Sequence, residues 1–353
     1  MSPPIVHGTA AAPSRRALLL PATGAVLAAA LLPARPAAAQ GGRQQRGRGR
    51  QGGASQAPPS SPATTPLGPL DTAAKQAFVV DYDTDAVLLE KNADERMPPS
   101  SMSKLMTMYM VFDMLKQGRL KLDQELPVSE RAWRMGGSKM FVHVGNTVPV
   151  EALMRGVIVQ SGNDACIVFA EAISGSEQQF AEAMNDKARE IGLTSSTFRN
   201  ATGWPEPGHM MSVRDIATLS RHLLTDFPEF YPLFSEVEFT YNNIKQGNRN
   251  PLLYKNMGVD GLKTGHTEEA GYGLSASAMR NGRRLILVVH GLAGVNERSQ
   301  ESERLLEWGF REFDNMTIAK AGEPIETAPV WLGAAPTVPL TVAADVKVTL
   351  PRS

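Results

Sequence analysis

Three short strings hold residue types that can do chemistry, and they occur in the order Ser101-Met102-Ser103-Lys104, Ser161-Gly162-Asn163, Lys263-Thr264-Gly265. They supply a hydroxyl with an amine three residues on, a second hydroxyl beside a carboxamide, and a second amine beside a hydroxyl. That set suits serine acyl transfer in which a lysine, not a histidine, takes the proton. Ser101 and Lys104, at i and i+3 of one helix, share a face and can meet. Lys104 is a base only while neutral; burial disfavours its ammonium form, and a nearby cation such as Lys263 disfavours it further. A helix N-terminus at Ser101 also favours a developing alkoxide. Ser161 is placed to relay a proton to a leaving group, and Asn163 to hydrogen-bond substrate backbone. Lys263 and Thr264 suit an anionic substrate terminus, which Gly265 lets approach the main chain closely.

Each string has a plainer reading when taken singly. Ser101 reads equally as a helix N-cap and Lys104 as a surface lysine. Ser161-Gly162-Asn163 reads as a helix start, and Lys263-Thr264-Gly265 as a charged edge strand. A chain of 353 residues holds roughly one S-x-x-K by chance. The ordered trio is far less accessible to chance than any member.

The elements around the trio sharpen it. Residues 77–82 and 86–90 read as a strand pair about the turn Asp83-Thr84-Asp85, with ordered structure expected from about Ala74. Pro98-Pro99 stops the chain and sets up a helix start at Ser100-Ser101. The helix that follows, through Met106, Met108, Tyr109, Met110, Phe112, Met114 and Leu115 to Gln117-Gly118, is apolar nearly all round, so it is buried on most faces. That weakens the surface-lysine reading of Lys104. Helical periodicity dominates from about 120 to 235, with helices after Ser161-Gly162-Asn163, over 177–191 and over 212–224. Strand character returns at 238–241, then in a pair over 271–278 and 285–290 joined by Asn281-Gly282, and residues 301–313 form an amphipathic closing helix. Strands at both ends with a helical block between predict an α+β domain whose sheet comes from its N- and C-terminal parts.

Composition excludes several functions. The 36 basic and 36 acidic residues balance, so net charge offers no argument for nucleic acid. Cys166 is the single cysteine, which rules out an intramolecular disulfide or a cysteine-rich zinc site, and its apolar neighbours make it a packing thiol. Neither a metal nor a cofactor is implied. Residues 1–39 read as an export signal: Arg15-Arg16, an apolar stretch from Ala17 to Leu32 interrupted by Pro21, and Ala37-Ala38-Ala39 before Gln40. Arg15-Arg16 with Ala17-Leu18-Leu19 also resembles a twin-arginine signal. Residues 40–72, Arg/Gly-rich then Pro/Ser-rich, read as a disordered linker. The catalytic domain is expected over 73–315, and residues 316–353 as a short or incomplete β segment in which Val346 to Leu350 alternate as a half-exposed strand does.

With the trio and its surroundings in place, the chain resembles the D-alanyl-D-alanine carboxypeptidases, low-molecular-mass penicillin-binding proteins of the β-lactamase/transpeptidase-like fold. The resemblance rests on residues 99–107, on Gln160 to Ala165, and most strongly on Val259-Asp260-Gly261-Leu262-Lys263-Thr264-Gly265-His266-Thr267 with Ala270-Gly271-Tyr272. Lesser matches are Ser138-Lys139-Met140-Phe141, Ser212-Val213-Arg214-Asp215 and Trp308-Gly309-Phe310. It implies an acylated Ser101 with Lys104 as its base, Ser161 and Asn163 completing the proton network, and Lys263 and Thr264 on the substrate carboxylate. It also implies an oxyanion hole from the main-chain N–H groups of Ser101 and His266, and basic residues Arg249 and Arg298 near the carboxylate site. The expected partners are peptidoglycan stem peptides and, as covalent inhibitors, β-lactams. Family members commonly carry a longer C-terminal β domain and an amphipathic membrane-binding helix. This chain reaches Ser353 with neither complete, so the expectation is a soluble periplasmic D,D-carboxypeptidase. A D,D-endopeptidase, a β-lactamase and a non-catalytic peptidoglycan-binding protein are the rival expectations.

Overall fold

The structure, a computed structural model, describes residues 61–352. The signal-like stretch 1–39 and the linker up to residue 60 lie outside the described residues. Strands β1 (Gln76–Asp81) and β2 (Val87–Lys91) form the expected hairpin. A single 3₁₀ turn over Ser100–Ser103 leads into α1 (Lys104–Lys116). The helical block follows: β3 (Glu125–Pro127), α2 (Glu130–Arg134), β4 (Thr147–Pro149), α3 (Val150–Ile158), α4 (Asn163–Ser174), α5 (Glu177–Glu190) and α6 (Val213–Asp226). After the small hairpin β5 (Glu238–Tyr241) and β6 (Ile244–Gly247) come β7 (Val259–Thr267), β8 (Gly271–Arg280), β9 (Arg283–Leu292) and α7 (Val295–Glu312). The tail holds β10 (Phe313–Ala319), β11 (Pro324–Pro329), β12 (Thr337–Thr341) and β13 (Val346–Pro351).

Five strands form one antiparallel sheet in the order β2-β1-β9-β8-β7, so both ends of the domain meet in it. Its strands alternate, and each face finds its own cover. Phe78, Val80, Ile286 and Val288 face the helical block, where they share a core with Met102, Leu105, Phe112, Val213 and Ile216. Ala77, Val79, Leu285, Leu287 and Val289 face the other way, onto Leu305, Leu306 and Trp308 of α7. With both faces buried, the cleft is built at an edge of the sheet, along β7.

Helix α1 is buried as its sequence predicts, with Lys104 through Met108, Val111 and Phe112 all inaccessible. Rings of Tyr109, Phe227, Phe230 and Phe234 close around Phe112 or one another in edge and tilted contacts. The short α2 and α3 escape periodicity because five and nine residues hold too few turns for a clear pattern.

Two boundaries differ from expectation. Order is already present at residues 61–72, inside the expected linker: Thr64 and Glu90 exchange main-chain hydrogen bonds at 2.8 and 2.9 Å, and the Thr72 hydroxyl donates to Glu301 Oε1 at 2.5 Å. Pairing of this kind uses main chain, to which Pro/Ser composition is a poor guide, and it covers part of the open edge of β2. At the other end, β10 begins at Phe313, directly after α7, and crosses the boundary expected at 315. It pairs with β13 and docks through polar groups: Asn315 Nδ2 donates to Asp81 Oδ1 at 3.0 Å, and Lys347 pairs with Asp83 at 3.5 Å.

Candidate active site

Ser101 lies in the 3₁₀ turn that precedes α1, half-buried, and Lys104 opens the helix one turn on. Lys104 Nζ donates to Ser101 Oγ at 3.0 Å and to the carbonyl of Thr202 at 2.5 Å. The lysine is fully buried, and burial lowers its pKa to about 8, with Arg249 acting in the same direction against Cys166 and Asp164. Arg249 thus joins Lys263, the cation expected from the sequence, in disfavouring the ammonium form, since Lys104 and Lys263 act on one another. Lys263 is itself held well below its ordinary value, first by burial and then by Lys104, Arg249 and Arg298.

Ser161 sits at φ 57°, a left-handed conformation costly for a residue with a Cβ, immediately before Gly162 and the start of α4. Lys263 Nζ donates to its hydroxyl at 2.9 Å and to the Thr264 carbonyl at 3.2 Å. Asn163 Nδ2 donates to the Gly136 carbonyl at 2.8 Å, and its main-chain N–H to that of Ser138 at 2.7 Å. The carboxylate of Asp164, fully buried, accepts from the N–H groups of Met140, Phe141, Val142 and Ala165 at 2.9–3.2 Å. One acid thus holds the loop facing the nucleophile turn.

The edge strand β7 brings the third string alongside. Gly265 packs so close to the turn that a Cβ on it would come 2.9 Å from the Pro99 carbonyl and 3.2 Å from Ser100 Cβ. Thr264 is buried, whereas His266 is exposed, its ring stacked on Tyr272 with centroids 3.9 Å apart. The fold thus gathers the residues expected from the sequence, Ser101, Lys104, Ser161, Asn163, Lys263, Thr264, Gly265, His266, Arg249 and Arg298, about one cleft.

Two cavities meet at Ser101. One, of about 430 Å³, is lined by Ser161, Arg249, Thr264, Tyr272 and Arg298. Arg249 Nη1 donates to Ser138 Oγ at 2.5 Å; Arg298, buried on α7, has an Nε without a hydrogen-bond partner and sits 5.6 Å from the Tyr272 ring centroid. Among the described residues no Asp or Glu lines this cavity, so its two guanidinium groups are matched to a carboxylate. Lys263 lies behind Ser161 and the two arginines stand on the wall. The second cavity, of about 280 Å³, lies on the other side of Ser101 and includes Asn163, Thr202, Gly203 and Trp204.

The segment 200–204 was not singled out from the sequence. Asn200 Oδ1 accepts from the N–H groups of Thr202, Gly203 and Trp204 at 2.9–3.2 Å and from the Thr202 hydroxyl at 3.2 Å. This knot aims the Thr202 carbonyl at Lys104. Asn followed by Gly three residues on is a turn signal, and it was the available clue. Cys166 is buried as expected, and burial pushes its thiol up to about 12, which leaves it inert as a nucleophile. Among the described residues no His, Cys, Asp and Glu cluster is arranged to hold a metal.

An antiparallel sheet flanked by helices, with a Ser–Lys pair between a helix and an edge strand, defines a serine acyl-transferring enzyme of the penicillin-recognising class. Residues 61–293 match the family described as D-alanyl-D-alanine carboxypeptidase, and the chain belongs to that family. It is 43% identical over 286 residues to D-alanyl-D-alanine carboxypeptidase DacC of Escherichia coli, covering 79% of this chain and 72% of that protein. Among solved structures it is similar to penicillin-binding protein 5 from Haemophilus influenzae, with a TM-score of 0.77 and 40% identity over 80% of this chain and 84% of that one. Ampicillin-bound penicillin-binding protein D2 from Listeria monocytogenes superposes with a TM-score of 0.63 at 31% identity, over 68% of this chain and 98% of that one.

Proposed function

We propose that this enzyme is a serine D,D-carboxypeptidase that removes the terminal D-alanine of peptidoglycan pentapeptides through an acyl-enzyme on Ser101. The observation that carries the reading is the buried Lys104 amine 3.0 Å from Ser101 Oγ, beside a cavity whose charged wall groups are Arg249 and Arg298. Ser101 Oγ attacks the carbonyl carbon of the penultimate D-alanine as its proton passes to neutral Lys104. The main-chain N–H groups of Ser101 and His266 receive the developing oxyanion. When the C–N bond breaks, Ser161, held by Lys263, relays the proton taken up by Lys104 to the departing amine, leaving Lys104 neutral again, and the carboxylate of the leaving D-alanine rests on Thr264, Arg249 and Arg298. Water then cleaves the ester, restoring Ser101 and releasing the shortened peptide acid. β-Lactams present a carboxylate and a strained amide to the same groups, so they acylate Ser101. Activity on wall peptides fits a periplasmic location, on the strength of the export pattern at residues 1–39. Among the described residues no helix is long and apolar enough to cross a membrane.

Digestion of purified pentapeptide muropeptides should release free D-alanine one for one with tetrapeptide product. Mass spectrometry after penicillin exposure should place the adduct on Ser101. Folded protein that carries no adduct there, or releases no D-alanine, would falsify the assignment.

A further inference from the structure

The second cavity at Ser101 differs in character from the first. Ser101, Asn163, Gly203, Trp204, Pro205 and Thr267 are on its wall, and among the described residues lining it there is no Asp, Glu, Lys or Arg. Trp204 is its largest side chain and remains 46% exposed, although its own main-chain N–H and carbonyl are both engaged. Its N–H donates to Asn200 Oδ1 and Thr202 Oγ1, both at 3.1 Å, and its carbonyl accepts from Asn200 Nδ2 at 3.0 Å. Pro205 further restricts its backbone. The edge of the indole lies over Gly136 and Gly137, where a Cβ would come 3.5 and 2.9 Å from ring atoms. Larger residues at those two glycines would displace the ring. A rigidly based indole left open to a cleft is an arrangement for contact with something absent from the chain itself.

The arginine-lined cavity takes the leaving side of the scissile bond, so the acyl side must run the other way. We infer that Trp204 is a specificity-determining platform for the uncharged, apolar part of the acyl-side substituent, be it an aliphatic peptide side chain or the ring of a penicillin side chain. This rests on the Ser101 acylation proposed above and adds to it which acyl groups are preferred.

Two probes separate the claims. Benzylpenicillin carries an aromatic acyl substituent; 6-aminopenicillanic acid has the same β-lactam and carboxylate but no acyl group. The second-order rate constant for acylation of Ser101 is measured with each, on wild type, Trp204→Ala and Trp204→Phe. Trp204→Ala should slow benzylpenicillin about tenfold and leave 6-aminopenicillanic acid within about twofold, while Trp204→Phe recovers most of the loss. Equal losses on both probes, or no loss on either, overturn the inference. Wild-type protein acylated by neither probe sinks the Ser101 reading and this one with it, whereas ordinary wild-type acylation with an undiscriminating Trp204→Ala sinks this one alone.

Discussion

In the proposed mechanism Lys104 is the side chain on which the chemistry turns, because its neutral form is the one that can take the Ser101 proton. Burial brings its pKa from 10.5 to about 8, so part of the population is already deprotonated near neutrality. The sign follows: below that value the ammonium dominates and cannot take the Ser101 proton. Acylation by a β-lactam should therefore rise about tenfold per pH unit up to about pH 8 and then level. A stopped-flow series from pH 5.5 to 9.5 measures this, and a rate flat through pH 6–8 would count against Lys104 as base. The lysine is also where sequence and structure diverge in detail. The nearly all-apolar run of residues 104–115 foretold burial, but the added influence of Arg249 on Lys104 comes from the packing of a remote segment. Thr202 likewise offers Lys104 only a carbonyl, which every residue possesses. The Asn200 and Gly203 turn signal marks a bend there, but not which carbonyl meets the amine.

Elements decide how closely the three strings approach. Gly203 has φ +78°, and a Cβ there would lie 1.9 Å from the Ser100 carbonyl, an impossible contact with main chain. Gly203→Ala should push the 200–204 turn off the nucleophile turn, lowering acylation by at least about tenfold and stability by more than about 1 kcal/mol. Rate constants with benzylpenicillin and thermal melting read the two effects, and unchanged values for both would show that the turn is slack. Most elements that place the site were legible. The hairpin over residues 77–90, helix α1, the start at Ser161 and the hairpin around Asn281-Gly282 all follow from alternation, period and turn residues. Those signals are local, and each element is long enough to display them. The segment 61–72 was not legible, because its order comes from pairing with β2 and from a single hydroxyl on Glu301. Nor was the early start of α7 at Val295, where Glu297 and Arg298 hide the apolar period that becomes clear only from Leu305.

At the scale of the molecule, one buried ion pair ties the first strand of the sheet to β9 and the tail. Asp81 at the end of β1, fully inaccessible, accepts from Arg283 Nε of β9 at 2.8 Å, and the same guanidinium donates to the Phe313 carbonyl at 2.6 Å. Asp81 Oδ1 meanwhile receives Asn315, so the tail strand joins the knot. Removing one partner of such a pair strands the other charge in a dry site. Arg283→Met should lower stability by about 3 kcal/mol, measured by urea unfolding, while the Asp81→Asn/Arg283→Met double variant recovers part of it. A loss within experimental error for the single variant would refute the structural weight given to the pair.

The sheet order carries one more consequence, concerning time. Strand β1 has β9 as a neighbour, about 200 residues later in the chain, with Phe78 opposite Val288. Ser101 is synthesised early, yet Lys263 and the edge of β7 come more than 150 residues after it. Until β7, β8 and β9 have been made and paired, Lys104 lacks its dry surroundings and Ser161 its amine. On the proposed mechanism, a partial or still-unfolded chain should therefore carry a serine that penicillin does not modify. Long-range pairing of this kind is slow to form, so reactivity has to wait for it. Covalent labelling by penicillin is then a clock for the finished molecule.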